Sequence, residues 1–236
     1  MTLYLTRAVL DREARAAALA PLLDPPDPDR ALDAHHRLMW TLFPGRNAVR
    51  DFLWRVDGRG RFFILSHREP IQSELFRPLD TTDFSPLLTP GDRLGFVLRA
   101  NATKDRRVPK TACGRRPDRR VDLVMDALHK TPGQSILGSD RLSERPSLRM
   151  KLADQVATGW LVAQGARGGF TLERVRVEDY SVRQLSRSRK GRVTFGVLDV
   201  SGILSVEEPD TFLATLGAGL GRARAFGCGL MLIRRV

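Results

Sequence analysis

The sequence predicts an α+β chain in which one order of elements, strand–helix–strand–strand–helix–strand, occurs twice. Three observations carry that expectation. Several short segments alternate apolar and polar residues, as half-buried strands do. One strongly amphipathic segment follows the first of them after a proline-rich break. Glycine-containing turns then join later strands in pairs.

In the first half, Leu3 to Leu10 reads as a strand. Asp24-Pro25-Pro26-Asp27-Pro28-Asp29 must be a loop, because proline and aspartate continue a helix interior only at high cost. Asp29 is placed to cap a helix from Arg30 to Phe43, ended by Pro44-Gly45. Phe52 to Val56 and Arg61 to Ser66 read as a hairpin across Asp57-Gly58-Arg59-Gly60. A weak helix is expected in the proline-punctuated stretch from Pro70 to Pro90, and Arg93 to Ala100 as the strand that closes this half. That order is the split βαβ, or ferredoxin-like, arrangement.

The second half repeats the order loosely. A helix is expected from Asp118 to Lys130, then turns from Thr131 to Pro146. Strands from Phe170 to Ser186 and from Arg192 to Leu204 flank the basic turn Arg187-Ser188-Arg189-Lys190-Gly191. A short helix from Pro209 to Leu216, a glycine-rich loop and a strand from Leu230 to Arg234 complete the pattern. Met150 to Trp160 carries no decisive periodicity. The expectation is two tandem ferredoxin-like (RRM-like) βαββαβ domains, residues 1–104 and 105–236, without visible sequence repetition.

Composition narrows the function class. No apolar run approaches the roughly 20 residues that cross a bilayer, and Met1 to Leu10 is too short and polar for a signal peptide. A cytoplasmic location and no membrane partner are expected. Cys113 and Cys228 lie in unrelated contexts and suggest neither a disulfide framework nor a metal site. The net charge of +12 is concentrated: Lys104 to Arg120 carries eight basic residues and two acids, and Arg183 to Arg192 five basic residues and no acid. Local concentration of this kind suits phosphate contacts, although solvated basic loops would look the same.

Four stretches could carry chemistry. His35 and His36 interrupt the apolar face of the first helix, shared by Leu32, Leu38, Met39, Trp40, Leu42 and Phe43, while Asp33, Arg37 and Thr41 lie opposite. A histidine on such a face is either a satisfied interior group or an acid–base catalyst titrating near neutral pH. His67 and His129 sit elsewhere, with no carboxylate cluster beside them, so a metal site is disfavoured. The segment Gly219-Leu220-Gly221-Arg222-Ala223-Arg224-Ala225-Phe226-Gly227-Cys228-Gly229 allows close backbone approach and exposes N–H groups to phosphate. It is no dinucleotide fingerprint, since only seven residues follow it and no βαβ unit fits, and it contains no P-loop. Phe96 to Lys104 runs from a strand into a basic loop. The basic turn offers guanidinium forks on a ribbon, suited to a helical RNA stem near a loop or end.

Taken together, these stretches resemble the CasE (Cse-three) family of type I-E CRISPR repeat endoribonucleases. The matching residues are His36-Arg37-Leu38-Met39-Trp40-Thr41-Leu42-Phe43-Pro44, then Arg50-Asp51-Phe52-Leu53, then Leu98-Arg99-Ala100-Asn101 with Lys104, and finally Gly227-Cys228-Gly229-Leu230. The resemblance implies tandem ferredoxin-like domains that bind a CRISPR repeat stem-loop and remain in the type I-E surveillance complex with other subunits. It puts the catalytic role on His36, with His35 and Lys104 as further candidates to help. RNA contacts are implied for Arg106, Arg107, Lys110, Arg187, Arg189, Lys190, Gly219, Gly221, Arg222, Arg224, Gly227 and Gly229. No cofactor and no metal are expected. The family's frequent tyrosine three residues before the histidine is Asp33 here, and a basic residue five positions after it is Thr41. The expected reaction is attack of a ribose 2′-OH on the adjacent phosphate, giving a 2′,3′-cyclic phosphate and a 5′-hydroxyl. The alternative is a non-catalytic RNA-binding scaffold of the same fold.

Overall fold

The computed structural model describes residues 2–13, 19–45, 49–105, 120–131, 145–187 and 191–236. Two four-stranded antiparallel sheets organise them. The first contains β1 (Tyr4–Val9), β2 (Phe52–Val56), β3 (Arg61–Ser66) and β4 (Asp80–Asp83), in the order β2-β3-β1-β4. The second contains β5 (Arg93–Ala100), β8 (Phe170–Arg187), β9 (Gly191–Val206) and β10 (Met231–Arg235), in the order β10-β5-β9-β8. Two short strands, β6 (Thr103–Asp105) and β7 (Arg120–Asp122), pair with each other. Read within each half, both sheets have the strand order of the ferredoxin-like fold, and the chain is a tandem of two such units.

After a single helical turn at Ala20–Leu23, the long helix α1 (Pro28–Thr41) starts where local chemistry dictates. The Asp27 side chain accepts a hydrogen bond from the Arg30 N–H at 2.8 Å, and Pro28 occupies the first helical position, where its missing N–H costs nothing. The expected cap, Asp29, instead lies inside the first turn. The inner face of α1, from Leu38, Met39, Leu42 and Phe43, packs on Ala8, Phe52, Trp54, Phe62 and Ile64 of the first sheet. The opposite face of that sheet places Leu3, Leu53 and Leu65 in a second, larger core with Leu98, Leu161, Phe170, Phe212 and Leu216. Alternation along β2 therefore serves two cores, one on each side.

Two expectations change. Arg93 to Ala100 does not close the first sheet; it pairs with β9 and β10 and opens the second. The strand that closes the first sheet is Asp80-Thr81-Thr82-Asp83, a polar edge strand whose Thr81 hydroxyl meets that of Thr6 at 3.0 Å. The last strand of the first sheet ends at Asp83 and the first strand of the second begins at Arg93. The second helix of the first half is also absent: residues 67–79 form an irregular connection. Pro70 and Pro78 interrupt it, the Gln72 amide donates to the carbonyls of Ser73 and Phe76, and buried Phe76 anchors it.

The second unit carries α2 (Leu123–Lys130), α3 (Arg145–Gly168) and α4 (Pro209–Ala218). Asp122 caps α2 by accepting from the Val124 and Met125 N–H groups, both at 3.0 Å. The stretch without decisive periodicity belongs to α3, which buries the narrow stripe Ala153, Ala157, Trp160, Leu161, Gly165 and Gly168. β8 and β9 form a long ribbon, registered from Phe170↔Val206 to Arg187↔Gly191, with irregularities at Leu172/Arg174 and Val177/Asp179. β5 lies against β9 only as far as Leu198, so the ribbon end from Gly191 to Val197 reaches beyond the sheet. Tyr180 fixes its base: its hydroxyl donates to Asp122 Oδ1 at 2.9 Å.

Candidate nucleic-acid interface

The two adjacent histidines have opposite surroundings. His35 is buried, with Nε2 3.1 Å from Asp24 Oδ1 and its ring edge-on to Phe62 (4.9 Å between centroids) and Trp54 (6.1 Å). Burial lowers its pKa, and this outweighs the opposing pull of the Asp24 carboxylate. The His35 ring is thus walled in by Asp24, Phe62 and Trp54. His36, half-buried, leaves α1 in another direction. Its ring lies 5.5 Å from that of Phe226 at a tilt of 48°, and Trp40 stands edge-on at 6.5 Å.

Phe226 belongs to a single 3₁₀ turn, Arg224–Phe226, inside the glycine-rich segment. Phe226 also meets Phe195 of the ribbon at 5.8 Å. The aromatic contacts His36–Phe226–Phe195 thus join the first helix, the glycine-rich loop and β9. Backbone hydrogen bonds fix the loop beside the end of β5: Gly229 N–H to the Arg99 carbonyl at 2.7 Å, Arg222 N–H to the Asn101 carbonyl at 3.1 Å, and Leu220 N–H to the Gly229 carbonyl at 2.9 Å. The buried Asn101 amide donates to the Gly196 carbonyl at 2.7 Å and ties the same corner to the ribbon.

Glycine is required here for definite reasons. Gly221 has φ of 78°, and a Cβ there would stand 2.8 Å from the Asn101 carbonyl oxygen. Gly227 has φ of 75° and lies against the Trp54 ring. Ala223 also adopts a left-handed φ, 53°, a conformation that costs an L-residue about 1 kcal/mol. The Arg224 guanidinium holds the curve from inside, donating to the carbonyls of Gly221 (3.2 Å) and Gly219 (2.9 Å). Burial and the neighbouring Arg222 lower its basicity.

An open cleft of about 560 Å³ borders the loop, and its lining includes Arg50, Thr103, Gln164, Arg222 and Arg224. Sequence reasoning quoted Arg50 only within a motif; its place in this cleft depends on folding. Lys104 takes a different position. Its Nζ is 2.6 Å from Asp126 Oδ2, and Lys130 reaches the same oxygen at 2.8 Å. These two ammonium groups hold the Asp126 carboxyl at about 2. Asp33 pairs with Arg37 at 2.5 Å on the exposed side of α1. Arg106, Arg107, Lys110, Arg189 and Lys190 lie outside the described residues, as does the Arg187 side chain. Among the described residues, no group of three or more His, Cys, Asp or Glu side chains comes together as a metal site would require. No described helix is long and apolar enough to cross a membrane.

A second pair of neighbouring arginines is Arg99 and Arg55. Arg99 binds Asp199 through two hydrogen bonds, Nε to Oδ1 at 2.9 Å and Nη2 to Oδ2 at 2.7 Å. Arg55 of β2 lies close enough for the Arg99 charge to depress its basicity, on top of a larger effect of burial. Cys228 is sealed beside this group, and burial pushes its thiol up to about 12.

The chain is similar to known proteins over nearly its whole length. A family model described as CRISPR associated protein matches residues 3–235. The CRISPR-associated endoribonuclease Cse3 of Thermus thermophilus is 26% identical over 254 residues, covering 98% of this chain and 99% of that protein. The CRISPR system Cascade subunit CasE of Escherichia coli K12 is 24% identical over 206 residues, covering 83% and 88%. Among solved structures, Thermus thermophilus Cse3 bound to an RNA representing a pre-cleavage complex superposes with a TM-score of 0.63 at 25% identity, over 99% of this chain and 100% of that one.

Proposed function

The chain belongs to the CasE family of CRISPR-associated proteins, and on that premise we propose that it is an endoribonuclease that cuts CRISPR repeat stem-loops in precursor transcripts to give guide RNA. The observation that carries this reading is the meeting of His36 with Phe226 at the glycine-rich loop. It sets an imidazole beside the glycine-rich loop that carries Arg222 and Arg224. The basic segments Arg106, Arg107 and Lys110, and Arg187, Arg189 and Lys190, clamp the RNA; Gly219, Gly221, Gly227 and Gly229 let its backbone approach.

The chemistry is a transesterification within the RNA. The 2′-oxygen attacks the adjacent phosphorus while the bond from phosphorus to the 5′-oxygen breaks. The 2′-OH loses its proton and the leaving 5′-oxygen gains one, so the ends are a 2′,3′-cyclic phosphate and a 5′-hydroxyl. His36 moves one of those protons, and arginine N–H groups stabilise the negative charge that collects on the phosphate oxygens. The reaction draws its acid, base and electrostatic help from side chains, without a divalent ion. His35, buried against Asp24, supports the helix that presents its neighbour. The product remains bound, and the protein acts as a subunit of the type I-E surveillance complex.

The test is one cleavage assay. Purified protein and a repeat hairpin are incubated with a chelator, and the product ends are identified. Cutting to a cyclic phosphate, abolished by His36→Ala with binding preserved, is expected. A hairpin that is bound and left whole would establish the scaffold role instead.

A further inference from the structure

Several arginines among the described residues are paired with carboxylates. Arg93 pairs with Glu173 at 2.7 Å, Arg99 with Asp199 at 2.7 Å, Arg68 with Asp51 at 2.9 Å and Arg235 with Asp92 at 3.3 Å. The cleft beside the glycine-rich loop is different. Arg50, Arg222 and Arg224 all line it, and none of the described residues that line it is acidic. Arg224 spends two N–H groups on the Gly221 and Gly219 carbonyls and retains three donors of its five. Arg50 is half-buried, where dehydration and the Arg224 charge both work against its own positive charge. Gathering like charges in a partly desolvated cleft is unfavourable unless an anion joins them.

We infer that this cleft is a subsite for a backbone phosphate of the RNA strand adjoining the cut, held by Arg50 and Arg222, with Arg224 fixing the loop between them. The inference rests on the reading of the chain as an RNA-cutting protein and adds where one phosphate of that RNA sits. Guanidinium forks match the paired oxygens of a phosphodiester, and the Thr103 side of the cleft adds a polar wall. The placement is also apt. Arg224 and Phe226 belong to one 3₁₀ turn, and the Phe226 ring touches His36. A phosphate in the cleft would therefore be tied through that turn to the strand passing His36.

Binding of an uncleavable hairpin, with 2′-hydrogen in place of 2′-OH at the cut, tests this apart from catalysis. Affinity is measured across a salt series for the native chain, Arg50→Gln, Arg222→Gln and Arg50→Lys. Each glutamine variant is expected to bind more weakly and to lower the slope of log affinity against log salt by about 0.7–0.9, one phosphate contact. Arg50→Lys retains the charge and is expected to keep the native slope. A methylphosphonate scan completes the experiment. One neutralised phosphate near the cut should weaken binding by the native chain and leave the Arg50→Gln, Arg222→Gln double variant unaffected. Native affinity and slope in both glutamine variants would overturn the subsite, even if the native chain cuts RNA normally. If the scan finds that phosphate while the native chain leaves ordinary hairpin whole, the subsite stands and the endonuclease reading falls.

Discussion

His36 and Phe226 touch across 190 positions of sequence, with ring centroids 5.5 Å apart. One is on the first long helix, the other in a three-residue turn just before the last strand. The contact joins the first unit to the loop that carries Arg222 and Arg224. It also gives His36 surroundings that its neighbour His35, held by Asp24, Phe62 and Trp54, does not share.

That separation predicts opposite phenotypes. His36→Ala should slow cleavage by about 10²–10⁴-fold, the usual worth of general acid–base help, with thermal stability near native. His35→Ala empties a site walled by Phe62, Trp54 and Asp24 and should lower the melting temperature. Single-turnover cleavage and thermal melts on both variants check the pair. Equal cleavage rates in the two variants would contradict the assignment.

The pH dependence of stability follows from His35. Its folded pKa lies below the ordinary 6.5, so the unfolded chain binds more protons over the interval between the two values. The resulting stability is complete above about pH 7 and declines as pH falls through 6.5. Denaturant unfolding at pH 5 and 7.5 should show this loss. His35→Gln, which cannot titrate, should show a smaller one.

Asp126 gives a second titration. Lys104 and Lys130 hold its carboxyl at about 2, against the ordinary 3.8. Its contribution to stability is present above about pH 4 and disappears as pH falls towards 2. Lys104→Ala should bring the Asp126 pKa back towards 3.8, as followed by carboxyl NMR. An unchanged titration would mean that Lys104 is not its partner in solution.

The Arg99–Asp199 pair is about three-quarters shielded from solvent, and Arg55 lies nearby. Asp199→Ala leaves two crowded guanidinium groups without their carboxylate and should cost about 1–3 kcal/mol, reduced from the fully buried case by residual solvent. Combining it with Arg99→Met should recover part of the loss in a double-mutant cycle.

Gly221→Ala should disturb the loop. Both its φ of 78° and the 2.8 Å approach to the Asn101 carbonyl exclude a side chain. RNA binding is expected to weaken, and the Arg222–Asn101 hydrogen bond, at 3.1 Å, should lose its protection from amide exchange.

Much of the fold was legible because local signals were clean. The Phe52–Val56 and Arg61–Ser66 hairpin and the Phe170 and Arg192 strands stand close to where alternation and turn chemistry put them. β4 escaped notice because Asp-Thr-Thr-Asp on an exposed edge has no apolar face to announce it. The sheet to which β5 belongs is not legible locally, because strand character is local whereas its partners in β9 and β10 lie about a hundred or more positions away. The histidine pair was visible as an interruption of an apolar face; which of the two is walled in depends on Asp24, in a preceding loop that periodicity does not describe. Arg50 had no local signal at all, since only folding brings it to Arg222 and Arg224.

The pairing of β10 with β5 has a temporal consequence during synthesis. The first sheet has all its strands once residue 83 has emerged from the ribosome, and His36 is then already on its helix. Its facing surface does not exist until Phe226 and the strand that anchors it have been made and have found β5. On the proposed reading, the surroundings of His36 are complete only once the second sheet has assembled, because Phe226 lies in the loop that leads into the strand paired with β5.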